Sequence, residues 1–237
     1  MRLASTIGEI GRIIGRMEAE RQRFYMVGGI AALVLGVGYV VIFGLYARTG
    51  APPSGGEAWF SYLPGKTTLW WTILWISVFT DVLYVPIALA LYQALGATHR
   101  IAMQLASAFV GLFVALDLTV TWSHYASILV LFGKYAAATN EVDRASYIAA
   151  ANYGSAVLTS PLEIVYSIVT LSAGILIIGI VMVRERFDKV TGYLAVATGV
   201  LGIASLTRSG YAIVGNALFA TVWLFFVGYR LCRVGRS

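Results

Sequence analysis

Charge is scarce in this chain: Asp, Glu, Lys and Arg make up 12% of its 237 residues, against about a quarter in soluble domains. Hydrophobic residues make up 59%. That balance excludes an ordinary water-soluble enzyme and a disordered chain. Cysteine occurs once, as Cys232, which leaves no internal disulfide and excludes a disulfide scaffold. Histidine occurs twice, as His99 and His124. No Glu-x-x-His or His-x-x-x-His pair is present, so the usual signatures of di-iron and zinc-hydrolase sites are missing. The two histidines lie toward opposite ends of one apolar stretch, too far apart to clamp a haem. The lysines, Lys66, Lys134 and Lys189, all sit at the edges of apolar stretches. A retinal-type Schiff base therefore has no lysine. No nucleophile elbow, phosphate loop or dinucleotide fingerprint occurs. Ten-residue alternation is absent too, which argues against a transmembrane barrel.

Long apolar runs are present instead. A spanning helix needs about 20 mostly apolar residues. Six stretches qualify: Phe24–Tyr46, Thr68–Leu95, Ile101–Gly133, Gly154–Val183, Val190–Leu206 and Tyr211–Leu231. The expected fold is all-α, a polytopic bundle of six transmembrane helices formed by residues 24–231. The turn Gly96–Arg100 is short enough to make the second and third spans antiparallel neighbours. Twelve basic residues fall on the side of the termini, among them Arg2, Arg100, Arg184 and Arg236. Five fall on the other: Arg48, Lys66, Lys134, Arg144 and Arg208. That asymmetry orients both termini to the cytoplasm of a plasma-membrane protein. Basic residues flank the spans rather than stud a face with aromatics, so nucleic acid is not an expected partner. The first apolar run is too long for a signal-peptide core, so it is expected to stay as an anchor.

Residues 1–23 are expected to form an amphipathic helix on the inner leaflet. Thr6 and Glu9 fit a capping box. Leu3, Ile7, Ile10, Ile14 and Met17 recur at helical spacing. Gly8, Gly11 and Gly15 form a close-approach stripe, which makes this segment the expected contact for a homo-oligomer or a larger membrane complex. Residues 232–237 form a basic tail. Residues 49–56 should be irregular, and Asn140 should cap a short helix over Val142–Ala151. Trp59, Trp70 and Trp71 suit the outer interface, and Trp223 with Tyr229 the inner one. The run Trp70, Trp71, Trp75, Phe79 suits an interface and a lipid-facing side. Small-residue ridges, Gly28/Ala32/Gly36/Gly44 and Gly192/Ala195/Gly199/Gly202, predict close helix packing.

The informative feature is a set of polar residues inside the spans. Charged groups in a bilayer cost several kcal/mol, yet Asp81, Asp117 and Glu163 lie there together with His124. Counted from the inner boundary at about 1.5 Å per residue, Asp81 and Asp117 come to nearly one height on hairpin-linked helices. If they face each other, one should be protonated at neutral pH. Asp117, Thr121 and His124 share an α-helical face, as do Asp81 with Tyr84 and Glu163 with Tyr166. Arg208 stands at a height from which it could pair with Glu163, or else face water. Pro86 and Pro161 should free the carbonyls of Val82 and Val157 beside these acids. These residues form the candidate proton, cation or ligand site. Any metal would have to use Asp81, Asp117, Glu163 and His124, an oxygen-rich set with one nitrogen donor. No cofactor is expected, although a cation or a membrane lipid would fit such a site.

Two passages carry a family resemblance: IALALYQALGATHRIAMQLASAFVGLFVALD at Ile87–Asp117 and GILIIGIVMVRERFDKVTGYLAVATGVLGIAS at Gly174–Ser205. With the six-span layout they resemble a bacterial and archaeal family of membrane proteins of unknown function. The resemblance implies a six-helix bundle and supplies no catalytic residues. Two functional expectations follow from the residues themselves. One is a small proton- or cation-coupled transporter or sensor. The other is a non-catalytic membrane subunit or a binder of a hydrophobic ligand such as lipid, quinone or pigment. An enzymatic activity finds no motif.

Overall fold

The computed structural model describes the backbone of residues 2–185 and 188–236, and the side chains within those ranges from Gly15 onward. Eight helices and no strand form among the described residues. They are α1 (Arg2–Thr49), α2 (Gly56–Tyr62), α3 (Thr67–Leu95), α4 (Arg100–Ala137), α5 (Glu141–Leu158), α6 (Pro161–Glu185), α7 (Lys189–Thr207, its last turn tightened) and α8 (Gly210–Val234). Six of them, α1, α3, α4, α6, α7 and α8, are long and apolar enough to cross a membrane. The chain is therefore a helical bundle of multi-pass membrane type.

The six long helices close a ring in chain order. Each packs on its sequence neighbours, α4 on α6 across the α5 excursion, and α8 closes back on α1. Small residues set the spacing. A Cβ on Gly28 would strike Ala90 of α3, and one on Gly36 would press on the Phe225 ring of α8. A Cβ on Gly199 would strike Leu176, and one on Gly202 would strike the Ser172 side chain, both on α6. Lipid tails supply little hydrophobic drive between spans, so this close approach supplies the van der Waals contact that holds the ring. Gly44, on the same predicted ridge, meets nothing.

The ring has two fillings. Toward the termini, Tyr84, Ile87, Leu91, Met103, Ile175 and Trp223 fill its axis, all essentially inaccessible. At the opposite end sits an aromatic cluster under the cap formed by α2 and α5. Trp70 stacks on Tyr125 at 5.4 Å, with Trp59 edge-on to both. Gly56 lies so close to the α5 backbone that a Cβ would collide with Ile148 and Asn152. The N–H groups of Gly55 and Gly56 donate to the Ser155 hydroxyl and the Asn152 side-chain oxygen, at 2.8 and 2.6 Å. Lys66 Nζ and the Tyr62 hydroxyl both donate to the Thr49 carbonyl, satisfying the end of α1.

Several expectations change here. The predicted fourth span, Gly154–Val183, is two helices. Ser160 caps α6 by accepting the Glu163 N–H, and Pro161 occupies its first turn, where its missing N–H costs nothing. Pro161 is therefore a start signal rather than a kink, and the Val157 carbonyl is taken by the Ser160 N–H. Asn140 does cap its helix, accepting the Asp143 N–H at 2.8 Å, but that helix runs on to Leu158. The predicted amphipathic segment, residues 1–23, is continuous with the first span from Arg2 onward. Its predicted capping box at Thr6 and Glu9 and its stripe at Gly8 and Gly11 lie outside the described side chains. Trp59, Trp70 and Trp223 are core residues rather than belt residues, each about 1% exposed or less. Their neighbours Trp75 and Phe79 face outward, as the lipid-side reading has it.

At the terminal end, two side-chain contacts tie the turns. His99 contacts Glu185 at 3.0 Å, and Arg230 Nε donates to Asp188 at 3.1 Å. Burial pushes the Asp188 carboxyl up, but the Thr191 hydroxyl and the Arg230 guanidinium outweigh it and hold the group below the usual carboxylate value. A depressed folded-state value stabilises fully above the unfolded value, near 3.9, and the gain is lost as pH falls through the folded value. Asp188→Asn is therefore expected to lower the thermal midpoint in detergent at neutral pH, the difference closing as pH falls through the lowered folded-state value of the carboxyl. Gly202→Ala is expected to destabilise by about 1–3 kcal/mol through overpacking against Ser172. Gly44→Ala, in open space on a helix, is expected to be neutral or to stabilise by up to about 1 kcal/mol. Thermal unfolding of the two variants side by side checks the pair.

Candidate functional site

The α3 face that carries Ser77, Thr80 and Asp81 is buried. Thr80 returns its hydroxyl proton to the Ser77 carbonyl, and its methyl lies against Gly38 of α1. Asp81 thus points into the ring at one level with α4. There the helix widens. Residues Asp117–Trp122 form a π-helical segment. In a π turn, residues five apart replace residues four apart as the stacked pair. Asp117 and Trp122 are such a pair, and the Trp122 indole N–H donates to Asp117 Oδ2 at 3.0 Å. The same N–H reaches Asp81 Oδ2 at 2.7 Å. One donor is shared by two carboxyl groups from two helices.

A second π segment, Val165–Val169, follows Glu163 on α6 and packs on the first. Widened turns misalign carbonyls, and hydroxyls fill in. Thr119 donates to the Ala115 carbonyl at 2.6 Å, and Thr170 reaches five residues back to the Val165 carbonyl at 2.6 Å. π segments are rare, and such bulges recur at functional sites.

The two widened turns border a cavity of about 270 Å³. α1 contributes Tyr39, Phe43 and Tyr46; α3 contributes Ser77, Thr80 and Asp81; α4 contributes Phe113, Asp117, Thr121, Trp122 and Tyr125. Glu163 and Ser167 enter from α6 and Ala217 from α8. Asp81, Asp117 and Thr121 are each 4% exposed, while Glu163 is half-buried. No lining residue is a Lys, Arg or His. Two buried atoms, Asp117 Oδ1 and Thr121 Oγ1, have no partner at hydrogen-bond distance.

The structure brings together four of the predicted residues, Asp81, Asp117, Thr121 and Glu163, and leaves four outside. His124 does not line the cavity. The π segment breaks the α-helical phase that was to bring Asp117, Thr121 and His124 onto one face, and the imidazole Nδ1 lies 2.6 Å from the Val120 carbonyl with its ring beside Tyr153. Arg208 does not pair with Glu163. It sits in a left-handed turn at φ 56°, exposed, with its guanidinium reaching the Thr159 carbonyl at 3.4 Å. Tyr84 lies beneath the cavity, its hydroxyl 2.9 Å from that of Tyr39, and Tyr166 is half-buried outside the lining. Among the described residues no three His, Cys, Asp or Glu side chains are grouped to hold a metal. Asp81, Asp117 and Glu163 of the predicted metal set line one cavity without forming such a group, and His124 lies outside it.

Sequence reasoning missed Trp122, Tyr39, Tyr46 and Tyr125. The signal for Trp122 was present but needed the right period. A tryptophan five residues after an intramembrane aspartate stacks on it only in a π turn. The hydroxyl residues Thr119, Thr121 and Ser123 crowded around it mark a stretch able to satisfy a disturbed backbone.

Comparison with protein-family models, with characterised proteins and with solved structures finds no match to this chain.

Removing the indole donor strips both carboxyl groups of their shared partner. Trp122→Phe is expected to cost about 1.5–3 kcal/mol, the scale for a hydrogen bond to a charged group. Trp75→Phe, on the outer surface, is expected to change stability by less than about 0.5 kcal/mol. Asp81→Asn in the Trp122→Phe background should recover part of the loss, which a double-mutant cycle on unfolding midpoints measures.

Proposed function

We propose that this chain is a plasma-membrane protein, both termini cytoplasmic, that uses Asp81, Asp117 and Glu163 as a proton or cation site in a small transporter or sensor. The orientation rests on the twelve-to-five asymmetry of basic residues. One observation carries the functional reading. Three acidic side chains from three helices line a single cavity whose lining includes no basic side chain, and two of them accept from one neutral N–H. A structural network would be expected to pair its charges, because an uncompensated charge in a dehydrated interior costs several kcal/mol. Here the compensation is missing from the protein and is left to a proton or a bound cation. Two neighbouring carboxyl groups cannot both ionise cheaply, so the pair holds one proton between them when no cation is bound.

The aromatic walls favour a second reading, a binder of a hydrophobic ligand. In it the same cavity is occupied by an apolar molecule and the acids serve only helix register. The N-terminal segment, residues 1–23, is the proposed contact for an oligomer or a larger membrane complex in either reading.

Infrared spectroscopy of the detergent-purified protein separates the two. The first reading expects the carbonyl stretch of a protonated, water-excluded carboxylic acid at neutral pH. The band should be lost in both Asp81→Asn and Asp117→Asn and diminished by a bound cation. No such band, together with unfolding midpoints indifferent to cations, would sink the proton and cation reading and leave the second.

A further inference from the structure

The shape and lining of the cavity say more than its charge. We infer that it binds a small organic ammonium ion, its charged head held by Asp117, Asp81 and Thr121 and its apolar body against the rings of Tyr39, Tyr46 and Tyr125. This rests on the reading of the acids as a cation site and narrows it to one chemical class.

The sign of the ligand comes from the lining, which carries three carboxyl groups and no basic side chain. The position of its head comes from the two orphaned atoms. Asp117 Oδ1 is an acceptor, and the Thr121 hydroxyl can donate or accept. Both belong to side chains 4% exposed, four residues apart along the widened turn. A buried acceptor left unmatched costs about 1–3 kcal/mol. A primary or substituted ammonium offers the missing donors and the missing charge together. Asp81 and Asp117 each keep their Oδ2 on the Trp122 N–H, so the indole fixes the pair while Oδ1 of Asp117 is left without a donor.

The size of the ligand argues against a bare metal ion. A volume of 270 Å³ is about nine times the ~30 Å³ share of one water. A hard cation would need six or more oxygen ligands at short range, and most of this wall is ring or aliphatic carbon. Aromatic rings are the complementary surface for an ammonium and its substituents. Tyr125 is held in place by stacking on Trp70, and Tyr39 by Tyr84, so these walls are set before a ligand arrives. Glu163, half-buried beside Ser167, stands as the outermost acid and draws a cation toward the deeper pair.

The test uses the full chain in detergent and four probes: benzylamine, tetramethylammonium, the neutral isostere benzyl alcohol, and sodium chloride. Binding is read by thermal midpoint and by quenching of tryptophan fluorescence, with Trp122→Phe identifying the responding ring. The two ammonium probes are expected to raise the midpoint saturably and to quench Trp122, and benzyl alcohol to do neither. Asp117→Asn and the near-isosteric Thr121→Val are each expected to weaken ammonium binding, Asp117→Asn by about tenfold or more. Silence from both ammonium probes in the unsubstituted protein, or equal binding of benzyl alcohol, overturns the inference. If ammonium binding fails while the carboxylic-acid band and its loss in Asp117→Asn persist, the ligand class falls and the proton site stands. If neither is seen, both fall together.

Discussion

A single indole N–H joins two acids from two helices inside the ring. Trp122 reaches Asp81 on α3 and Asp117 on its own helix. The contact to Asp117 is not open to a regular α-helix, in which residues five apart point away from each other. The π turn is therefore the condition for the site. It brings Trp122 over Asp117 and turns His124 away. The widened backbone is tolerated because hydroxyl side chains take up its misaligned carbonyls and because a second π segment on α6 packs against it.

The ring around this site is held by small residues. α1 is drawn onto α3 at Gly28 and Gly38 and onto α8 at Gly29 and Gly36. α6 and α7 meet through Gly179, Gly192, Gly199 and Gly202. Close backbone approach at the terminal end leaves little volume on the axis there. Toward the aromatic cap, Gly44 meets nothing and the helices enclose a cavity instead. The molecule is thus tightly packed at one end and hollow toward the other, with carboxyl groups at the transition.

Hydropathy was enough to find the six helices long and apolar enough to cross a membrane, though not where α6 begins, since an apolar run of about 20 residues has few alternatives in a chain with so little charge. Heights counted from the Gly96–Arg100 turn were enough to bring Asp81 and Asp117 together, because a hairpin of two regular helices fixes relative depth. Phase was not legible in the same way. Counting at 3.6 residues per turn assigns His124 to the face of Asp117, and one π turn undoes that assignment. Pro161 looked like an interior kink because the apolar character of Gly154–Leu158 continues into α6. Only the Ser160 cap distinguishes a start from a bend. Trp59 and Trp70 were assigned to the bilayer interface by residue type alone. Their burial depends on α2 and α5 folding over them, a tertiary event that no local pattern records.

Helix α1 gives the hollow end a mechanical reach. It runs 48 residues without a proline, and at about 1.5 Å per residue it is near 72 Å long, more than twice the thickness of a hydrocarbon layer. Gly235 lies so close to it that a Cβ there would collide with Gln22 and Met26. Beyond that point the side chains from Gly15 to Arg21 are exposed. The arm of α1 that stands outside the bundle therefore begins on the same rigid rod that lines the cavity, with Gly15 about 36 Å along the axis from Tyr39.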